Sequence, residues 1–197
     1  TLALAQARAV SLEMAEKAAA ALKNALAALT LYSKDSAGQI RRDEDACDEL
    51  EDALGTYLLR LSAGQPGQEE SEEAAALLKV IGDFERISDH AVNLLESAEE
   101  LRDKSLTFTE EALKEYDVIA SAVTEVLDAS LRAFRNQDLA AAETVEPLEQ
   151  VVDSLKDTLK SRHIIRLRHQ ECTVEMGFMF ADLLTNMERI SDHCSNI

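Results

Sequence analysis

Residues 83–94 read DFERISDHAVNL, and residues 186–197 read NMERISDHCSNI, 103 positions further along the chain. Seven of the twelve aligned positions are identical, and they include the whole hexapeptide ERISDH. Convergence on such a match is improbable, so the two stretches indicate an internal duplication. A period of this length far exceeds the roughly 20–50 residues of solenoid repeats. Each repeat is therefore expected to be a small bundle of its own.

The composition predicts an all-α fold. The chain of 197 residues is rich in the helix formers Ala, Leu and Glu, whereas aromatic residues make up only 4% of it. The few breaks in helical periodicity predict six segments, at about residues 2–32, 40–61, 71–102, 109–135, 138–169 and 173–197. Three segments per repeat predict two tandem three-helix bundles, residues 1–104 and 105–197. Pro147 predicts a kink or a helix start within the fifth segment.

The net charge of −18 argues against nucleic acid as a partner, because binding to phosphate backbones requires clustered Lys and Arg. The many carboxylates could attract cations, although the charge by itself favours simple solubility. Three cysteines without Cys-x-x-Cys spacing favour a reducing compartment. No segment is apolar enough to span a membrane, and no signal peptide is evident. Because the chain does not begin with Met, it is expected to be a fragment of a longer protein.

The repeated hexapeptide places acidic side chains on one helix face. Glu85, Asp89 and Asn93 are four residues apart, and Glu188, Asp192 and Asn196 repeat that spacing. The neighbouring stripe is apolar and is expected to face the core of the bundle. In the first repeat this stripe is Phe84, Ile87, Ala91 and Leu94. The carboxylates should therefore flank a groove between helices.

Each repeat holds a second acidic pair on the preceding segment. The eight candidate metal ligands are Glu44, Asp48, Glu85 and Asp89 in the first repeat, and Glu149, Asp153, Glu188 and Asp192 in the second. Antiparallel neighbouring helices would bring the pairs together, and four clustered carboxylates are unfavourable unless a cation joins them. Carboxylate sites suit Mg²⁺, Ca²⁺, Mn²⁺ and iron. The alternative is that these acids pair with Arg86 and Arg189 and face water.

Other polar features carry weaker signals. His90 and His193 follow the aspartates directly, and packing or surface positions are favoured over roles as ligands. The run RHIIRLRHQEC at residues 162–172 is a local basic cluster, for which salt bridges within the chain are favoured over contact with phosphate. Cys172 and Cys194 are expected to pack as small hydrophobic residues.

At the two ERISDH helices the sequence resembles the PhoU family. The resemblance covers essentially the whole chain and implies two three-helix bundles that regulate phosphate uptake. It also implies multinuclear metal clusters, iron or zinc among them, on the eight acidic residues named above. The run at 162–172 followed by NMERISDHCSNI is more narrowly similar to the PhoU-type cytoplasmic region that ends bacterial sodium-phosphate cotransporters.

The main hypothesis is therefore a metal-binding regulatory domain without enzymatic activity. It would lie at the cytoplasmic face of the membrane as part of a sodium-phosphate cotransporter, with the transporter domain of the same protein as its partner. Phosphate and a homodimer are further expected partners, and iron, zinc, manganese or magnesium is the expected metal. The alternatives are a free-standing PhoU-type regulator, a carboxylate-bridged oxidase or phosphatase, and a purely structural helical bundle.

Overall fold

The structure is a computed structural model that describes residues 1–197, and every regular element in it is an α-helix. The helices are α1 (Leu2–Ala28), α2 (Lys34–Ala63), α3 (Gln68–Asp103), α4 (Glu110–Asn136), α5 (Leu139–Arg168) and α6 (Val174–Ser195). Five of them begin after a side-chain oxygen that accepts a hydrogen bond from the first turn. These caps are Thr1, Ser33, Thr109, Asp138 and Thr173. The all-α prediction is confirmed.

The six helices form two three-helix bundles, as predicted. Helices α1–α3 pack on one another as bundle one, and α4–α6 pack on one another as bundle two. The bundles meet mainly through α3 and α6, and one continuous apolar core contains residues from all six helices. The expected division at residue 104 falls in the connection between α3 and α4, and the division into two domains there remains a prediction.

The junction between the bundles is nearly two-fold symmetric. The rings of His90 and His193, which are counterparts in the two repeats, stack with centroids 5.5 Å apart. His90 Nδ1 lies 3.1 Å from Asn186 Oδ1, and His193 Nδ1 lies 3.4 Å from Asp83 Oδ1. Asp83 and Asn186 are also counterparts, so each repeat provides one histidine and one acceptor to the other. Of the packing and surface positions predicted for these two histidines, the structure shows packing.

The predicted apolar stripe of α3 is confirmed, because Phe84, Ile87, Ala91 and Leu94 are all buried. Two boundaries differ from the prediction. Helix α2 begins at Lys34 rather than near residue 40, because the Ser33 hydroxyl caps it and Ala37 is buried against the core. Helix α5 runs continuously through the exposed Pro147, so a helix start at that residue is wrong.

No helix combines the length and the apolar character that crossing a membrane requires. All three cysteines are free thiols. Cys47 and Cys194 are buried, so Cys194 packs as predicted, whereas Cys172 is only partly buried in the turn between α5 and α6.

Candidate metal centres

The groove between α2 and α3 gathers five acidic side chains. Carboxylate oxygens of Asp48, Glu51 and Glu85 all lie within 4.8 Å of one another. Glu44 and Asp89 complete the group, since Asp89 is, after burial, the main cause of the raised pKa of both Glu44 and Glu85. These five residues are called cluster one. It unites the four predicted ligands of the first repeat with Glu51, which the prediction omitted.

Helical geometry explains why these side chains meet. Positions 44, 48 and 51 lie on one face of α2, because four and seven residues correspond to about one and two turns. The adjoining face of α2 is buried through Ile40, Cys47 and Leu54, so the acidic residues lie at the edge of the buried surface. On α3, Phe84 and Ile87 fix the helix against the core and leave Glu85 and Asp89 at the groove. The apolar residues therefore determine where the carboxylates point.

Burial and mutual repulsion make cluster one hold protons more tightly than free carboxylates do. Burial, the hydrogen bond to Asp89 and the charges around it raise the pKa of Glu85 to about 8. The pKa of Glu44 is raised by burial and by Asp89, and that of Glu51 by burial and by Asp48. A cation in the groove would replace these protons as the neutralising charge.

The groove between α5 and α6 holds the corresponding group in bundle two. Oxygens of Glu149, Asp153 and Asp192 lie within 4.8 Å of one another. Burial, the hydrogen bond to Asp192 and nearby charges raise the pKa of Glu149 to about 7. Asp153 Oδ1 is buried without a hydrogen-bond partner. These three residues and Glu188 are called cluster two, and they are the four ligands predicted for the second repeat.

One lysine distinguishes cluster two from cluster one. Lys156 forms an ion pair with Glu188, and neither side chain is more than 28% exposed. Glu188 therefore already has a counter-charge. Counted from the first acid of each cluster, Lys156 occupies the position that Glu51 occupies in α2, seven residues after Glu149 and Glu44 respectively. Neither Glu51 nor Lys156 is among the residues predicted from the sequence, although the seven-residue spacing is visible there.

The donor set of both clusters fits a hard cation. Every ligand atom brought together is a carboxylate oxygen, the type that Mg²⁺, Mn²⁺ and Ca²⁺ prefer and that also binds iron in helical bundles. The unpartnered oxygen of Asp153 and the raised pKa values of Glu85 and Glu149 show carboxylates that lack a compensating positive charge. The residues present therefore fit a metal ion.

The basic run at 162–172 makes salt bridges within the chain, as favoured from the sequence. Arg166 donates two hydrogen bonds to Glu115, at 2.9 and 2.8 Å, and both side chains are buried. Arg162 pairs with Glu111 and also with Glu115, at 2.8 and 2.9 Å. His163 is buried against the ring of Phe180.

A sequence model of the PhoU domain matches the chain twice, over residues 11–98 and 117–197. The chain belongs to the PhoU family. Each match contains one of the two carboxylate clusters, so both PhoU repeats carry a complete candidate site. The two matches also correspond to the two repeats inferred from ERISDH.

The chain is similar along most of its length to a named accessory protein and to a solved structure. It is 23% identical to the phosphate-specific transport system accessory protein PhoU homolog 1 of Thermotoga maritima over 177 residues, which cover 89% of this chain and 75% of that one. The crystal structure of PhoU from Pseudomonas aeruginosa superimposes with a TM-score of 0.91 at 23% identity, over 99% of this chain and 93% of that one, and so confirms the fold.

The third similar protein is a transporter by name. It is the Salmonella typhimurium protein named "Putative inorganic phosphate export protein YjbB", 26% identical over 157 residues. The match covers 77% of this chain but only 28% of the Salmonella protein. A PhoU-like region thus forms a minor part of that longer protein.

Proposed function

We propose that this chain is a PhoU-type regulator of phosphate transport that binds metal ions at clusters one and two. The observation that supports the metal sites most directly is the recurrence of a carboxylate cluster in the same groove of both bundles. Chance does not explain matched acidic pairs on two helices in each of two repeats. The function in phosphate transport is inferred from membership of the PhoU family and from relatives named as accessory proteins of phosphate transport.

The residues of each cluster would hold the metal directly. Glu44, Asp48, Glu85 and Asp89, with Glu51, would bind it in bundle one, and Glu149, Asp153, Asp192 and Glu188 in bundle two. A bound metal would supply positive charge that holds α2 against α3, or α5 against α6. Iron, zinc, manganese and magnesium are the candidate metals.

A free-standing regulator is better supported than a domain of a sodium-phosphate cotransporter. The Thermotoga maritima accessory protein matches over three quarters of its own length. The Salmonella match keeps the transporter-attached arrangement as the second candidate, because a PhoU-like region there covers about a quarter of a longer protein. In either case the proposed partner is a phosphate transporter and the proposed location is the cytoplasmic face of the cell membrane.

Phosphate uptake in the native host tests this proposal. The chain would be expressed as wild type, as Asp89→Ala/Asp192→Ala, and as the control Glu13→Ala/Glu125→Ala, which removes two exposed acids outside the clusters. We expect the cluster variant alone to change the rate of radiolabelled phosphate uptake. Uptake that is the same for all three proteins would contradict the proposal.

The metalloenzyme alternative makes a different prediction. None of the three similar proteins described above carries the name of an enzyme, and the gathered ligands are all carboxylates. Phosphatase and oxygen-consumption assays with Fe²⁺ or Mn²⁺ separate the two functions. Turnover that disappears in Asp192→Ala would favour the enzyme.

A homodimer and direct binding of phosphate remain predictions, which sedimentation and calorimetry would check.

A further inference from the structure

Bundle two exposes an apolar surface at the end of the α5–α6 groove away from cluster two. Its residues are Ile164, Leu167, Val174 and Phe178, here called the α5–α6 patch. Phe178 is 70% exposed, Val174 68% and Ile164 43%. Exposed apolar groups that adjoin one another commonly mark an interaction site, whereas single ones do not.

A cavity of about 150 Å³ opens within this patch. Its floor depends on Gly177, because a Cβ atom there would lie only 2.9 Å from a methyl group of Leu167. The glycine thus lets Leu167 of α5 lie directly against α6. A cavity of about this volume can hold a benzene ring. It is therefore the right size for one large apolar side chain of a partner.

Bundle one provides an internal comparison at the same place. In the register that aligns the clusters, Val174 and Phe178 correspond to Ser71 and Ala75, 103 residues earlier. Leu167 corresponds to Ser62, 105 residues earlier, and only Ile164 has an apolar counterpart of similar size, Leu59. The patch is therefore a property of bundle two and does not follow from the shared fold.

Two cations flank the patch. Lys160 lines the cavity, and the exposed Arg168 follows Leu167 directly. Neither forms a salt bridge within the chain, unlike Lys156, Arg162 and Arg166 on the same helix. Their counterparts in bundle one, 105 residues earlier, are Gly55 and Ala63. Bundle two therefore carries two cations without salt bridges beside its apolar patch, and neither has a basic counterpart in bundle one.

We propose that the α5–α6 patch docks an amphipathic helix of another protein, with carboxylates on both sides of its apolar face. One apolar side chain enters the cavity, as in other helix-in-groove complexes, and the carboxylates meet Lys160 and Arg168. A second copy docked patch to patch would set Lys160 and Arg168 against their own copies, and a flat membrane would leave the cavity unfilled. The proposal does not depend on metal binding.

Fluorescence anisotropy tests this docking site. The probe is a labelled synthetic helix with Leu at every third or fourth position and Glu on both flanks, and the control probe carries Lys in place of Glu. We expect the acidic probe alone to bind. Phe178→Ser and the double variant Lys160→Glu/Arg168→Glu should each weaken binding by about tenfold or more, because a truncated anchor contact and a reversed charge each cost at least about 1.4 kcal/mol.

Matched variants in bundle one control for general effects. Leu59→Ser removes the exposed counterpart of Ile164, and Arg60→Glu/Lys79→Glu reverses two exposed cations. Both should leave the affinity within twofold of wild type, and circular dichroism should show all variants folded. Equal binding of both probes, or equal loss in the two bundles, would overturn the proposal. Phe178-dependent self-association, or Phe178-dependent binding to vesicles of phosphatidylglycerol, would also overturn it.

Discussion

Clusters one and two are duplicated sites that differ in charge at one matched position. Cluster one has Glu51 where bundle two has Lys156, so five carboxylates face one another in the first groove without a lysine. In the second groove, Lys156 neutralises Glu188. The duplication therefore preserved the ligand pairs, whereas one substitution gave cluster two a positive counter-charge that cluster one lacks. Cluster one therefore depends more strongly than cluster two on protons or an added cation to neutralise its carboxylates.

The bundles differ similarly in their interiors. Bundle one buries Leu58 and partly buries Leu61, whereas the positions 105 residues later are His163 and Arg166. Bundle two therefore holds a buried ion pair where bundle one has apolar contacts. Removing one member of a buried pair is costly, although replacing both members with apolar residues is often neutral or favourable.

The largest expected effect concerns this buried pair. Glu115→Ala leaves Arg166 buried without its partner, so we expect the free energy of unfolding to fall by about 3–5 kcal/mol. Urea denaturation measures it. Glu111→Ala, which removes an exposed partner of Arg162, should cost less than about 1 kcal/mol. Equal costs for the two variants would contradict the assignment of a buried pair. Glu115→Leu/Arg166→Leu, which replaces both members of the pair with apolar residues, should recover most of the loss.

The next effect concerns metal affinity. In a background that disables cluster one, Asp48→Asn/Asp89→Asn, the change Lys156→Glu should tighten Mn²⁺ binding to cluster two by about tenfold or more, or about 1.4 kcal/mol. The reason is that a ligand replaces a competing cation. Isothermal titration calorimetry measures the affinity.

Two further variants control this comparison. Glu51→Lys should weaken cluster one in the reciprocal background, Asp153→Asn/Asp192→Asn. Lys79→Glu makes the same change in net charge on bundle one and should leave cluster two within twofold. If Lys156→Glu and Lys79→Glu act alike, the difference between the clusters is only one of overall charge.

The pH dependence of folding stability in the metal-free protein should also distinguish the clusters. Glu85 and Glu149 have pKa values raised from 4.5 to about 8 and about 7, so the folded state holds their protons more tightly than the unfolded state. Their contribution to stability is complete below about pH 4.5 and is lost as pH rises through those values. Calorimetry should therefore show the melting temperature falling with pH over this window.

Single substitutions show which carboxyl group causes the loss of stability in each part of this pH range. Glu85→Gln should flatten the dependence between pH 7 and 8, whereas Glu149→Gln should affect mainly the part below about pH 7. Saturating Mn²⁺ should remove the dependence in wild type. An unchanged slope in both variants would show that other groups cause it.

The smallest effect is on the stability of metal-free protein at pH 8. Asp89→Asn removes repulsion with Glu85 four residues away and should raise the free energy of unfolding by a few tenths of a kcal/mol, about 0.2–0.5. Asp192→Asn should raise the free energy of unfolding by less, because Lys156 already offsets part of the charge in cluster two. Chemical denaturation with a chelator present measures both, and a larger gain for Asp192→Asn would reverse the proposed order of the clusters.

The sequence was sufficient for the fold because the repeat and the helical periodicity agree. Phe84, Ile87, Ala91 and Leu94 recur at helical spacing, and that spacing decides which face is buried. The start of α2 was misplaced because Ser36 and Gly38 have low helix propensity, which the Ser33 cap and the burial of Ala37 override.

The candidate site was only partly predictable. The acidic pairs were found because they repeat, whereas Glu51 and Lys156 break the repeat and were missed. The pairing of Arg166 with Glu115 spans 51 residues and joins two helices, so local sequence could suggest a salt bridge but not its partner. The α5–α6 patch depends on the side-by-side packing of Leu167 and Gly177, which only the folded chain reveals.

Metal content is the measurement that tests the central claim most directly. Inductively coupled plasma mass spectrometry would compare untagged wild type with Asp89→Ala/Asp192→Ala, after both are exposed to Fe²⁺, Mn²⁺, Zn²⁺ and Mg²⁺ and then desalted. We predict near-stoichiometric metal in wild type and its loss in the double variant. Wild type without bound metal, or equal metal in both proteins, would contradict the account of two carboxylate metal sites.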